Sequence, residues 1–357
     1  MKLNRNFLLL LLWAGLQLPT VSTSSATAFH YLQATTKTDA EAENMLLYQR
    51  ESGGWPKAVH NKAVKYTVEL TSAQKKAVKA GFTAKDATID NGATTKEIWH
   101  LAKAYKETNN NRYLAAAKKG IEYLLQAQYS NGGWPQFYPD TSHYRQQVTF
   151  NDHAMTNVLK VLREVNRGTG AMAAFSEYSE RAKKAEERGI ACILKTQQKR
   201  NGKLTAWAAQ YDHKTLKPAT ARSYELPGIA LSESVEIVRF LMGVENPSPE
   251  IKAAITGAKA WFDEVKIKDY TRKRIDAPAE ASGRDVVFVA EKDAEIWARF
   301  YDLDTNKPFF AGRDGIKKNS LAEIENERRI GYAWYGTWPA EAFAKEYSIW
   351  LQKWGKI

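Results

Sequence analysis

The sequence predicts a mainly α-helical protein, an α/α toroid of helix hairpins packed in a ring, with a small β-containing face. Three observations support this fold class. Several long segments carry apolar residues at helical spacing, strand-like segments are few and short, and a Gly-Gly-Trp-Pro segment occurs twice. Repeated helix-pair units of this kind fit hairpins arranged in a ring.

The helical spacing is clear in residues 94–107, where Ile98, Leu101 and Tyr105 lie on one stripe. This segment opens with Thr94-x-x-Glu97, a pattern that predicts a capping box. The full set of predicted helices is 94–107, 112–128, 152–165, 173–198, 224–242, 250–264 and 338–353. Strands are predicted only at residues 285–290 and 296–303.

The repeat consists of Ser-Gly-Gly-Trp-Pro-Lys at residues 52–57 and Asn-Gly-Gly-Trp-Pro-Gln at residues 131–136. A predicted helix ending in glutamine precedes each copy, at Gln49 and Gln128. A degenerate third copy runs over residues 198–207, beginning with Gln198. The glycines end a helix and Trp-Pro turns the chain, so the alternative is helix-stop chemistry that recurs by coincidence.

The amino terminus is typical of a secretory signal peptide. Lys2 and Arg5 precede an unbroken apolar run at residues 7–12, and small residues follow up to residue 28. The apolar segment is shorter than the roughly 20 residues that span a membrane, although an uncleaved anchor is the alternative. We therefore expect a leader at residues 1–28, a single catalytic domain at residues 29–357, and secretion to the periplasm or medium.

The mature chain is expected to be basic. The formal charge of the whole sequence is +12, and removal of the leader leaves 50 Lys and Arg against 40 Asp and Glu, or +10. A basic secreted protein suits an anionic partner, and charge alone allows nucleic acid or an acidic polysaccharide. Cys192 is the only cysteine, which excludes an intrachain disulfide, and its helical spacing indicates a core position.

Two acidic segments precede predicted helices: residues 86–92, with Asp90 and Asn91, and residues 150–155, with Asp152. Asp and Asn are good helix N-caps, which is the simpler interpretation for either site alone. The pairing of Asp with Asn in both segments also suits calcium, which takes carboxylate and amide oxygens.

Two basic loops contain arginine beside aromatic residues, at 214–227 with Arg222 and at 306–315 with Arg313. Guanidinium groups match carboxylates with two parallel hydrogen bonds, so such loops could clamp an acidic ligand. Surface ion pairs are the alternative.

These segments together resemble the polysaccharide lyase family 10 pectate lyases. The segments that carry the resemblance are GGWPK at 53–57, TIDNGATTKEI at 88–98, GGWPQFYP at 132–139, TFNDHAM at 149–155, TAWAAQYD at 205–212, ATARSYELP at 219–227, NKPFFAGRDG at 306–315 and RRIGYAWYGTWP at 328–339. The resemblance implies an (α/α)3 toroid that binds polygalacturonate in a groove and cleaves it by calcium-assisted anti-β-elimination, giving 4,5-unsaturated products.

The resemblance also implies roles for individual residues. Arg222 is expected to be the catalytic base, and Asp90 and Asp152, assisted by Asn91, are expected to bind calcium. The expected cationic contacts to substrate are Arg313, Lys203 and Arg299. We expect a monomer that binds neither nucleic acid nor, once the leader is removed, membrane.

The chemistry explains why these residue types are needed. Elimination removes the C5 proton, which is α to a carboxylate and only weakly acidic, so cations on that carboxylate stabilise the developing charge. Arginine is a difficult base because its pKa lies above about 12. Calcium and lysine nearby are expected to lower the pKa of Arg222, and an alkaline optimum follows. Lys203 and His153 titrate more easily and remain alternative bases.

Two other functions are compatible with parts of the sequence. A toroidal glycoside hydrolase would use Asp90 and Asp152 as paired carboxylates. A non-catalytic module would bind acidic polysaccharide through the basic loops without shortening it.

Overall fold

The computed structural model describes residues 37–355, which belong to one compact unit. The predicted leader at residues 1–28 lies outside the described part. No helix within the described residues combines the length and apolarity needed to cross a membrane. The α-helices are Ala40–Tyr48 (α1), Ser72–Ala80 (α2), Thr95–Thr108 (α3), Asn111–Ala127 (α4), Ala154–Arg167 (α5), Ser179–Thr196 (α6), Leu231–Met242 (α7), Pro249–Glu264 (α8), Asn326–Gly331 (α9), Trp338–Glu341 (α10) and Tyr347–Trp354 (α11).

Three consecutive helix pairs form the main body: α3 with α4, α5 with α6, and α7 with α8. The first helices of the pairs contact one another in the order α3, α5, α7, and the second helices in the order α4, α6, α8. Helices α5 and α7 are buried over most of their circumference, as an inner layer requires. This arrangement confirms the α/α toroid.

A tryptophan side chain fixes the chain after α1 and after each of the outer helices α4, α6 and α8. The indole Nε1 of Trp55 donates to the carbonyl oxygen of Met45 at 2.8 Å, and Trp134 donates to Leu124 at 2.7 Å. The same bond recurs, at 2.8 Å each, from Trp207 to Ile193 and from Trp297 to Phe262. All four indoles are buried, so each bond satisfies a donor that would otherwise be costly.

A glutamine beside each of the first three tryptophans joins one outer helix to the next. The side-chain amide of Gln49 donates to Gly53 and to Ala116 in α4. Gln128 donates to Gly132 and to Ala185 in α6. In the third copy the donor is Gln197, which bonds Thr205 and Ala254 in α8. The third repeat is therefore present, but Gln197 takes the role that the sequence assigned to Gln198.

The predicted capping box at Thr94 is wrong. Thr94 has a φ of 65°, and its hydroxyl accepts a hydrogen bond from the Trp55 amide and donates to the Thr88 carbonyl. Glu97 instead accepts from the Tyr66 hydroxyl at 2.7 Å. Both side chains serve contacts that are distant in the chain, which a local pattern does not reveal.

Two predicted helix starts are also wrong. The predicted helix 224–242 begins only at Leu231, because Ile229 and Ala230 pair as a strand with Tyr301 and Phe300. The predicted helix 173–198 begins as a 3-10 segment, Gly170–Tyr178, before α6.

The β structure is larger than predicted. The strands are Ala58–Val59 (β1), Lys62–Ala63 (β2), Val148–Thr149 (β3), Lys199–Arg200 (β4), Lys203–Leu204 (β5), Gln210–Tyr211 (β6), Ile229–Ala230 (β7), Ile267–Asp276 (β8), Arg284–Ala298 (β9), Phe300–Tyr301 (β10), Phe310–Ala311 (β11), Lys317–Lys318 (β12) and Tyr335–Gly336 (β13). Strands β8 and β9 form a long antiparallel hairpin, joined by β13. Most residues of β8 are exposed and charged, so no apolar pattern in the sequence predicts this strand.

The first prediction concerns Gly132, whose φ of +90° suits only glycine and where a Cβ would lie 2.1 Å from the Arg188 carbonyl oxygen. We expect Gly132→Ala to lower the free energy of unfolding by about 3 kcal/mol or more, through backbone strain and overpacking. The matched control is Gly168→Ala, at φ +61° with no atom within 4 Å of the added Cβ, which should cost only about 1 kcal/mol. Equal losses in urea denaturation would contradict the steric explanation.

Candidate active site

Three carboxylate side chains lie where the inner helices begin. Backbone hydrogen bonds hold these starts at equivalent places: the amides of Thr88, Thr149 and Ala230 donate to the carbonyls of the first three repeat tryptophans. Asp90 then lies in a 3-10 turn before α3, Asp152 in a 3-10 turn before α5, and Glu233 in the first turn of α7.

Neither predicted acidic site is a helix N-cap. Thr94 and His153 occupy the N-cap positions of α3 and α5, although neither side chain forms a capping hydrogen bond. The carboxylate of Asp90 contacts the Nζ of Lys57, and Asp152 Oδ2 accepts from the Asn151 side-chain amide at 2.9 Å. The capping interpretation is therefore wrong for both sites.

The turns themselves are conformationally unusual. Asn91 and Asp152 each have a φ of 50°, and His153 has a φ of 61°. Non-glycine residues adopt this left-handed region at a cost of about 1–3 kcal/mol, and such residues cluster at functional sites. The turns expose Asn91 and direct Asp152 toward the other two acids.

The three carboxylates influence one another electrostatically. Burial raises the pKa of Asp152, and the charges of Asp90 and Glu233 raise it further, against opposing effects of Arg299 and Lys57. Asp90 Oδ1 and Glu233 Oε2 are buried oxygens without a hydrogen-bond partner. Negative charge is therefore concentrated here beyond what the neighbouring cations satisfy.

This donor set fits a hard cation. Carboxylate oxygens are the preferred ligands of calcium, and two of them here are buried and lack hydrogen-bond partners. Within residues 37–355, no three His, Cys, Asp or Glu side chains are grouped closely enough to hold a metal by themselves. Calcium takes about six to eight oxygens, so substrate or water would have to supply the remainder.

A cavity lined by arginine and aromatic side chains adjoins these acids. Asn151, which bonds to Asp152, also lines this cavity with Arg222 and Arg328. Its aromatic walls include Tyr224, Phe300, Tyr332 and Trp334.

Tyr224 is surrounded by three guanidinium groups. Those of Arg222, Arg313 and Arg328 lie 5.0, 4.8 and 5.0 Å from its ring centroid. The loop that carries Arg313 reaches this ring because Gly315, at φ +69°, packs against the Ser223 backbone, where a Cβ would lie 2.7 Å from the Ser223 carbonyl oxygen. The structure thus brings Arg222 and Arg313 together from distant parts of the sequence.

Arg222 is held by a carboxylate on its own loop. Its Nη2 donates to Glu225 Oε1 at 2.5 Å, and its side chain is 53% exposed. This hydrogen bond to Glu225 raises the pKa of Arg222 above its usual range. An acid is therefore the main neighbour of Arg222 in the protein alone, and the expectation that bound calcium lowers this pKa stays a prediction.

The expected substrate contacts lie in different surroundings. Arg313 pairs with Glu327 on the surface at 2.7 Å, whereas Arg299 pairs at 2.5 Å with the buried Glu233. Burial lowers the pKa of Arg299, but the charge of Glu233 outweighs it and the net direction is upward.

Lys203 lies apart from this group. It lines a different hollow with Arg200, Trp261 and Glu264, beside α8. That hollow shares no lining residue with the cavity of Arg222. The structure therefore does not bring Lys203 to the other predicted contacts.

Sequence reasoning missed several residues of the site. Asp152 follows the second repeat tryptophan and Glu233 follows the third, but the number of residues between tryptophan and acid differs in the two repeats. That the two acids occupy equivalent positions is therefore apparent only from the backbone hydrogen bonds of the fold. Tyr224 and Arg328 lie within segments that carry the family resemblance, yet nothing in their local sequence pattern distinguishes them from core or surface residues.

Comparisons with known proteins show what this chain is similar to. Residues 49–343 match a family model described as pectic acid lyase. The chain is similar to the solved family 10 polysaccharide lyase from Cellvibrio cellulosa, with 35% identity, a TM-score of 0.75, and coverage of 90% of this chain and 94% of that one. A mutant of that enzyme in complex with trigalacturonic acid is similar at 34% identity, with the same TM-score and coverage. No curated protein matches the chain.

The second prediction tests the buried ion pair. Arg299→Met leaves the Glu233 carboxylate buried without its guanidinium, which we expect to lower the free energy of unfolding by about 3–5 kcal/mol. The double variant Arg299→Met with Glu233→Leu should be more stable than the single variant, because no charge is then left unpaired. Both are measured by urea denaturation in calcium-free buffer. A loss below about 1 kcal/mol in the single variant would show that the pair is not structural.

Proposed function

Since this chain belongs to the pectic acid lyase family and is a pectate lyase, we propose that it cleaves polygalacturonate by calcium-assisted anti-β-elimination with Arg222 as base. The observation that carries the proposal is the position of Asn151. It donates to Asp152 in the carboxylate group and also lines the arginine cavity that contains Arg222. A uronate bound there would therefore lie next to both the carboxylates and the arginine side chains.

Asp90 and Asp152 would hold the calcium ion, and Asn91, which follows Asp90 in the chain, would assist. When bound, calcium would supply positive charge to the uronate carboxylate and so acidify the neighbouring C5–H bond. Asn151 and Arg299 would orient the acids, through the hydrogen bond to Asp152 and the ion pair to Glu233.

The reaction transfers the C5 proton to neutral Arg222, which becomes a guanidinium. The electron pair of the C5–H bond becomes the C4–C5 double bond, and the C4–O4 bond breaks on the opposite face of the ring. The departing O4 takes a proton from water, and the new non-reducing end is a 4,5-unsaturated uronate. Arg313 would stabilise negative charge on a neighbouring carboxylate.

Arg222 must lose its contact with Glu225 to act as a base. The carboxylate favours the protonated guanidinium, which cannot accept a proton. Substrate carboxylates entering the cavity would repel Glu225 and compete for the guanidinium. High pH would increase the neutral fraction of Arg222, so we retain the alkaline optimum as part of the proposal.

We also propose that the enzyme is secreted after removal of residues 1–28. A polymeric substrate of plant cell walls lies outside the cell that degrades it, and the basic charge of the chain suits that polyanion.

The third prediction separates elimination from the alternative functions. Incubation of the protein with polygalacturonate and calcium should raise the ultraviolet absorbance of the conjugated product, and excess chelator should lower the rate by more than about 100-fold. Restored calcium should restore the rate. Chain shortening without absorbance would indicate a hydrolase, and binding without shortening would indicate a non-catalytic module.

The fourth prediction tests Arg222 as the base through Glu225. Glu225→Gln keeps a side-chain oxygen for the Arg222 amide but removes the charge that raises the Arg222 pKa. The Arg222 pKa of the free enzyme should therefore fall, and the rising alkaline limb of the kcat/KM profile, which reports the free enzyme, should move to lower pH by about one unit. The control Glu327→Gln neutralises the acid paired with Arg313 and should leave that limb in place. A limb unmoved in Glu225→Gln would argue against Arg222 as the titrating base.

A further inference from the structure

Two cationic side chains occupy the same place in different tryptophan repeats. Lys57 is the second residue after Trp55, and Arg299 is the second residue after Trp297, whereas the two middle repeats have glutamine and alanine there. The Trp55 carbonyl oxygen accepts from the Thr88 amide at 3.0 Å, and the Arg299 carbonyl oxygen accepts at 2.8 Å from the first residue of α7. Both cations are therefore held beside the segment that leads into an inner helix.

Each of these cations pairs with one acid at the start of an inner helix. The Nζ of Lys57 contacts Asp90 Oδ2, and a guanidinium nitrogen of Arg299 lies 2.5 Å from Glu233 Oε1. The charges of both cations also act on Asp152, where they oppose the rise of its pKa. The Lys57 ammonium thus lies among the acids that are expected to bind calcium.

Lys57 is held less firmly than Arg299. The Arg299 side chain is only 12% exposed, and its guanidinium lies 4.8 Å from the centroid of the Tyr332 ring. The Lys57 side chain is 36% exposed, and Asp90 is its one ion-pair partner within residues 37–355. Lysine carries a compact, strongly hydrated charge on a flexible stem. Its ammonium can therefore move into water while the backbone stays in place.

The place that the Lys57 ammonium fills also suits a metal ion. Asp90 is buried, and Lys57 contacts its Oδ2 while its Oδ1 has no hydrogen-bond partner. Calcium bonds several oxygens at once and would satisfy more of this carboxylate than one ammonium does. A buried carboxylate without any cation is costly. Lys57 therefore stabilises Asp90 as long as no metal ion is bound.

We propose that the Lys57 ammonium is the internal counter-ion of Asp90 in the calcium-free protein and is displaced when calcium binds. The inference rests on the proposed function for the identity of the ion. Because calcium must first separate an existing ion pair, its apparent affinity for the free protein is weaker than the acids alone would provide. Lys57 thereby sets the calcium concentration at which the site fills.

The first test measures calcium binding by calorimetry, with calcium chloride titrated into the chelator-treated protein. Lys57→Met keeps a long side chain without the charge and should tighten calcium binding by about 10-fold or more, because the competing cation is removed. The matched control is Lys62→Met, since Lys62 lies exposed on β2 and forms no ion pair within the described residues. It should change the calcium Kd by less than about twofold.

Two further measurements keep this comparison specific. The tighter binding of Lys57→Met should persist at high salt, because a contact with a buried carboxylate is screened less than surface charge. If Lys57→Met does not fold without calcium, Lys57→Gln provides the same comparison, since its amide can still donate to Asp90 without carrying a charge.

The second test follows the Lys57 amine itself. Brief acetylation of the protein, followed by mass spectrometry of its peptides, gives the modification rate of each lysine. In chelator-treated buffer Lys57 should react slowly, because its nitrogen is engaged with Asp90. Saturating calcium should raise its rate several-fold and leave the rate of Lys62 unchanged.

Two results would overturn the inference. Calcium affinity that is unchanged or weaker in Lys57→Met would show that Lys57 does not compete with the ion. A Lys57 modification rate that is unaffected by saturating calcium would show that the ammonium stays on Asp90. Absence of calcium binding in both the unmodified protein and Lys57→Met would reject the calcium site together with this inference. Calcium binding without ultraviolet product from polygalacturonate would reject the reaction alone, because the calorimetric comparison still tests Lys57.

Discussion

The site depends on a repeated hydrogen bond between a buried tryptophan and the outer helix that precedes it. Trp55, Trp134 and Trp207 each place a carbonyl at the same level of the ring, and each carbonyl receives the amide of a residue shortly before an inner helix. The starts of α3, α5 and α7 are therefore aligned. Because Asp90, Asp152 and Glu233 lie at those starts, alignment of the backbone also aligns these three carboxylates.

Glutamine side chains extend the same constraint around the outer layer. Gln49, Gln128 and Gln197 each bridge the loop after their own helix to the next outer helix. The amides of Gln49 and Gln197 are buried and must satisfy their donors within the protein, so a change in the packing distance of those neighbouring helices breaks a bond that water cannot replace. The position of Asp90 relative to Asp152 and Glu233 is thus fixed by contacts on the far side of the helices.

Several charged side chains of the candidate active site are paired with an opposite charge in the free protein. Glu233 has Arg299, Arg222 has Glu225 and Arg313 has Glu327 as partner. Asp90 and Glu233 nevertheless each keep a buried carboxylate oxygen without a hydrogen-bond partner. In the proposed function, a bound calcium ion would compensate this negative charge.

The sequence by itself determined the fold class, the repeat, most helix positions and the segments that contain Asp90, Asp152, Arg222 and Arg313, because apolar periodicity and local motifs act over short stretches of chain. Only the tertiary structure decided which charges meet. It paired Arg299 with Glu233 and placed Lys203 in a separate hollow. The Thr94 hydroxyl forms long-range hydrogen bonds and no capping bond, and Glu225 raises the pKa of Arg222. Such outcomes depend on distances between residues far apart in sequence, and a charge pattern read along the chain contains no distances.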